Sequence, residues 1–280
     1  MRVRTAHQRS WQRCAFLWSV GALAACQEPA LRPSLWPAPD FELRVEEFEF
    51  GDGHDRKVRE LRVLADGLVV YAVATRARTV PLPPADDGKP RLAALPVFER
   101  LAVYQLVPTS VRAFARRLEA LGIDRLEVQQ GERGGTFDRA VQMTWIANGE
   151  RRSVRAAGRV AGPMAELMAL VHSHLPQGER FGLVVESDRA VQSPLRGVPS
   201  PVTDARGAQQ AFVQLAGLRN DDPWLLLAAF VLACDGGDRA AAEDLLTRWR
   251  EATSSERAAA LFADQAPLPP ELLQRMLPDG

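Results

Sequence analysis

Three histidines lie beyond residue 26: His54, His172 and His174. The run His172-Ser173-His174 closes an apolar helical pattern. A spacing of two sets the rings about 200° apart around a helix axis, so they do not converge on one metal ion. Rings that are solvated, or favoured by the negative end of the helix, are the expectation. Asp52, His54 and Asp55 in GDGHD could open a metal loop. The later ligands and terminal glutamate of a calcium loop are missing, so a turn is predicted. Gly51-Asp52-Gly53 does not extend to a dinucleotide-binding pattern, because Arg56 stands at the third glycine position. Cys234 sits among Phe230, Leu232 and Ala233. A thiolate nucleophile needs an exposed, electropositive setting, so this thiol is expected to be a buried small hydrophobe. No Gly-x-Ser-x-Gly, His-Glu-x-x-His, Walker loop or Cys-x-x-Cys occurs. The acids are too dispersed to nominate a pair. No catalytic residue, no cofactor and no metal site is therefore expected.

The N-terminus carries the one specific chemical signal. Arg2, Arg4, Arg9 and Arg13 precede the apolar run CAFLWSVGALAA at 14–25. That run is far shorter than the roughly 20 residues of a membrane helix, and fits the apolar region of a cleavable signal peptide. It ends Leu23-Ala24-Ala25-Cys26, which resembles the lipobox of bacterial lipoprotein precursors. The resemblance covers about the first 26 residues. It implies a diacylglycerol group on the Cys26 thiol, removal of residues 1–25, and often acylation of the new amino group. It also implies that Gln27, which is not aspartate, favours the outer over the inner membrane. Two other readings stay open: cleavage after Ala22-Leu23-Ala24 with release of a soluble chain, or retention of the segment as a short anchor.

Beyond residue 26 the chain carries 31 basic against 35 acidic residues, since four arginines and no acid precede it. This balance gives no electrostatic footprint for nucleic acid. Only Lys57 and Lys89 are lysines; the arginines are scattered among acids and read as codon usage. With Cys14 in the export segment and Cys26 lipidated, Cys234 would be the one free thiol, so a disulfide framework is not expected. A hydrophobic content of 46% with 25% charged residues is enough for a real core.

The elements follow from pattern. Pro29, Pro33, Pro37 and Pro39 make 26–40 an extended tether that could reach roughly 40 Å. Phe41, Leu43 and Val45 alternate, and Phe48 and Phe50 resume in the other phase, which suggests a break or a bulge. Asp66-Gly67 marks a hairpin, and five prolines predict a loop over 77–96. A strand at 97–106 precedes a helix capped by Thr109 or Ser110, with Val111, Phe114, Leu118 and Leu121 on one face and Gly122 as its stop. Strand 138–147 turns at Asn148-Gly149, and Pro163 opens a helix over 163–175. The expectation for 41–187 is an α+β domain, an antiparallel sheet of hairpins with two helices on one face. It resembles, in architecture alone, a family of small uncharacterised domains of secreted bacterial proteins, which offers no catalytic residues.

Residues 188–203 read as a linker and 204–280 as a helical subdomain. Asp222-Pro223 opens an apolar helix that Gly236-Gly237 ends, and Asp238 opens the next. Trp224, Leu227, Ala228, Ala241 and Leu245 weakly resemble a tetratricopeptide helix pair within 222–252; a helical cap on the preceding domain is the other reading. Taken together, the sequence predicts an exported envelope protein held to the membrane by lipid on Cys26. It would be a non-catalytic structural or interaction module for an envelope protein or cell-wall partner. The alternative is an anchored hydrolase or small-ligand binder with a site assembled from distant residues.

Overall fold

The chain folds as α+β around a six-stranded antiparallel sheet. The structure is a computed structural model that describes residues 38–51, 54–82, 91–123, 126, 138–185, 200–202, 204–219, 222–254 and 268–278. The strands are β1 (Glu42–Gly51), β2 (His54–Leu64), β3 (Leu68–Leu82) and β4 (Arg91–Gln105), then β5 (Arg139–Ala147) and β6 (Glu150–Ala157) after the helix α1 (Pro108–Ala120). Their order across the sheet is β4-β3-β2-β1-β5-β6, so the first strand lies inside it. A short parallel pair, β7 (Arg159–Val160) and β8 (Val184–Val185), flanks helix α2 (Gly162–His172). Four further helices follow: α3 (Ala205–Leu218), α4 (Pro223–Asp235), α5 (Arg239–Thr253) and α6 (Pro270–Gln274). No described helix is long and apolar enough to cross a membrane.

Turn chemistry sets the hairpins. Asn148 and Gly149 both take positive φ, 56° and 74°, as the tight turn between β5 and β6 requires. Gly67, at φ +89°, closes the β2–β3 turn, and a Cβ there would lie 2.5 Å from the carbonyl oxygen of Leu106. Only glycine meets both conditions.

Three local expectations are corrected. The segments 77–82 and 91–96 are paired strand, not loop: Ala77 faces Pro96, and Pro81 faces Leu92. Past Val73, β3 has β4 as its one neighbour among the described residues, and β4 is the edge strand. Proline is tolerated where a strand has an open side. The bulge opposite Glu47 and Phe48 is present, but the extra residue is Val58 of β2. β1 keeps its phase against β5, so Phe48 and Phe50 simply point to the other face of the sheet from Leu43 and Val45. The cap of α1 is Val107, with no side-chain cap and Pro108 at its start; Thr109 and Ser110 lie inside the first turn.

Each face of the sheet has its own apolar core. On one, Leu43, Val45, Leu61, Tyr71, Met143 and Trp145 pack against Phe114 and Leu118 of α1 and Leu167 and Met168 of α2. On the other, Val70, Ala72, Phe98 and Leu101 of β3 and β4 pack beneath Phe212, Trp224, Phe230 and Trp249 of α3, α4 and α5. The residues from Leu35 onward form one compact unit. Helix α4 is buried nearly all round, and Asp222 caps it by accepting from the amides of Trp224 and Leu225.

Candidate functional site

On the second face the apolar core beneath the helices lies over β3 and β4. Over β1 and β2 the same face carries Glu42, Arg44 and Glu46 beside Lys57, Glu60 and Arg62. Strand alternation places them together, since every second residue shares a face. The N-terminus of α4 then brings Asp222 and Trp224 to the boundary between the two halves.

Arg62 is the centre of this charged web and is 1% exposed. Its Nε donates to Glu42 Oε1 at 2.9 Å, and its Nη1 donates to Asp222 Oδ1 at 3.1 Å. Nη2 lies 2.8 Å from Glu42 Oε1, an ion pair without hydrogen-bond alignment. The guanidinium also stacks on Trp224, 4.7 Å from the ring centroid. Arg44 donates to Glu42 at 3.0 Å. Lys57 bridges Glu46 and Glu60, and the Trp224 indole donates to Glu60 Oε2 at 2.9 Å.

Electrostatics divide the carboxylates. Burial alone would raise Glu42, but Arg62 and then Arg44 outweigh it and hold the group at about 2. Glu60 goes the other way: burial raises it, Lys57 and Arg44 only partly offset that, and Glu46 adds to it. Its Oε1 has no hydrogen-bond donor. Glu42, Glu46, Glu60 and Asp222 stand here among Arg44, Lys57 and Arg62, with Arg151 also acting on Glu46. The cations and carboxylates are spent on one another, with Arg62, Glu60 and Asp222 at most 2% exposed. What such an arrangement does chemically is hold the helical layer to the sheet. Removing one member of a buried ion pair costs about 3–5 kcal/mol, because the other charge is left behind.

A smaller polar cluster lies at the rim of the first core. Glu47, fully buried, accepts from Arg59 Nη1 at 2.6 Å and from the amide of Gly182 at 3.0 Å. Tyr71 donates to Glu179 at 2.7 Å, and Arg100 pairs with the same carboxylate.

His172 and His174 occupy neither cluster; His174 is buried and His172 partly so, where solvated rings are one expectation. His172 stacks on Phe181 with 6.2 Å between ring centroids, and its Nε2 accepts from the Phe181 amide at 3.2 Å. That nitrogen is therefore unprotonated. Burial, with Arg180 nearby, pushes the ring down to about 4. His174 packs edge-on against Phe114, and its Nδ1 lies 2.9 Å from the Leu170 carbonyl, so Nδ1 bears the proton. Burial lowers this ring too. Packing against the sheet overrides the helix-end field because α2 is buried along nearly its whole length. Cys234 is a buried free thiol, and burial pushes it up to about 11. His54 begins β2; Asp52 and Cys26 lie outside the described residues. Among the described residues no group of three or more His, Cys, Asp or Glu side chains is placed to hold a metal ion.

The web went unpredicted because Arg62 meets Glu42 across 20 residues and Asp222 across 160. The alternating charges Glu42-Arg44-Glu46 on β1 and Glu60-Arg62 on β2 were the available signal. No protein-family model matches the chain, and no curated protein matches it either.

Proposed function

We propose that the chain is an exported envelope protein, anchored by lipid on Cys26, whose body is a non-catalytic structural or interaction module. The lipobox-like Leu23-Ala24-Ala25-Cys26 and the proline-rich 27–37 support the anchor. Gln27 favours the outer membrane. The structural observation that carries the reading is where the tether meets the body. Phe41 is buried in the first core, and the Asp40 carboxylate accepts from the amides of Asn148 and Gly149 at 2.8 and 2.6 Å. The chain then runs directly into β1, paired on both sides. An anchored domain needs a firmly held tether exit of this kind. The non-catalytic reading is supported by the charged web, whose members bind one another.

Metabolic labelling with an alkyne-bearing palmitate, followed by membrane fractionation, tests this. Wild type should take up label and sediment with membranes, and Cys26→Ala should do neither. Equal labelling of the two would end the anchor reading.

A further inference from the structure

The turns of the sheet alternate between its two ends, and the tether joins one of them. Asp40 binds the β5–β6 turn at this end. The β2–β3 turn, Asp66-Gly67, lies at the same end, about three strand spacings away, or roughly 14 Å. Two connections flank that turn. The Leu106 amide donates to Gly67 O at 2.9 Å, so Val107 follows immediately. Arg219 pairs with Asp66, and Leu218 precedes it at the end of α3. Val107 is 59% exposed and Leu218 82%, the two most exposed large apolar side chains among the described residues. Single exposed aliphatic residues are ordinary on protein surfaces. These two stand astride one turn at the end where the tether arrives.

We propose that this end of the body docks on the bilayer surface, with Val107 and Leu218 inserted among the lipid headgroups. The inference rests on the anchor reading above. Eleven residues separate Cys26 from Ala38, and at 3.3–3.6 Å each they span no more than about 40 Å. The tethered end is therefore held near the membrane at high effective concentration, where a contact of two side chains suffices. Two ion pairs lie at this end, Arg152 with Glu150 and Arg219 with Asp66. Leu92, 50% exposed, lies at the opposite end of β4 and supplies the control.

The test uses the full lipidated protein in phosphatidylcholine vesicles containing nitroxide-labelled lipid. Val107→Cys, Leu218→Cys and Leu92→Cys each carry an environment-sensitive fluorophore. Severalfold stronger quenching at 107 and 218 than at 92 is expected. Equal quenching at all three, in protein that floats with the vesicles, overturns the docking and leaves the anchor intact. Protein that neither floats nor takes up palmitate overturns the anchor, and the docking with it. A spectral shift at 107 and 218 that grows with protein concentration in lipid-free detergent assigns the surface to a second copy instead.

Discussion

The guanidinium of Arg62 on β2 donates to the Asp222 carboxylate at 3.1 Å, joining residues 160 positions apart in the chain. The same carboxylate caps α4. One side chain thus sets both the start of the most buried helix and its seat on the sheet. Arg62→Met should lower stability by about 3–5 kcal/mol, since it strands two buried acids. In a unit of this size that is on the order of 10 °C in melting temperature. Followed by circular dichroism, the triple variant Glu42→Gln/Arg62→Met/Asp222→Asn should recover much of the loss. No recovery would show that the loss comes from packing and not from the stranded charges.

Acid should destabilise the fold in two stages. His172 is neutral when folded and held at about 4, against an ordinary value of 6.5. The unfolded chain takes up that proton first, so stability falls as pH drops from 6.5 towards 4, by at most about 3 kcal/mol. Glu42, held at about 2 against 4.5, contributes stability above pH 4.5 that is lost as pH falls further towards 2. Urea unfolding at pH 7.5, 5.5 and 4 should show the first stage in wild type. His172→Gln should make the fall shallower, leaving the part that buried His174 contributes, and an unchanged slope would refute the assignment.

Gly67→Ala tests the β2–β3 turn. The positive φ costs about 1–2 kcal/mol for an L-residue, and the new Cβ presses on the backbone of Leu106 at 2.5 Å. Melting should drop by several degrees. Gly149→Ala, which meets nothing within 4 Å, should carry the φ cost alone and melt higher than Gly67→Ala.

Cys234 should be inert until the protein opens. Its thiol is buried and pushed up to about 11, so little thiolate exists at neutral pH. Ellman's reagent added to the native protein should leave this thiol unmodified, and denaturant should release one equivalent from it. Rapid native reaction at Cys234 would contradict the burial.

Much of the fold was legible because its signals are local. Asn148-Gly149, Asp66-Gly67, Asp222-Pro223 and Asp238 each act within a few residues, and each turn or cap stands where expected. Pro81 and Pro96 misled because proline breaks an inner strand but not one with an open side. Phe48 and Phe50 suggested a phase change in β1, whereas they lie on its opposite face beneath Lys57 and Arg155. The charged web was not legible for a different reason. Its partners are chosen by strand register and by the docking of a distant helix, which no short window records.

The inner position of β1 has a mechanical consequence. Under the proposed anchoring, a pull on the chain ahead of Glu42 would run along this strand and load the ladders to β2 and β5 lengthwise, so their hydrogen bonds would resist together and not one after another. An edge strand in the same place could be peeled away. Such a load would be borne by the middle of the sheet.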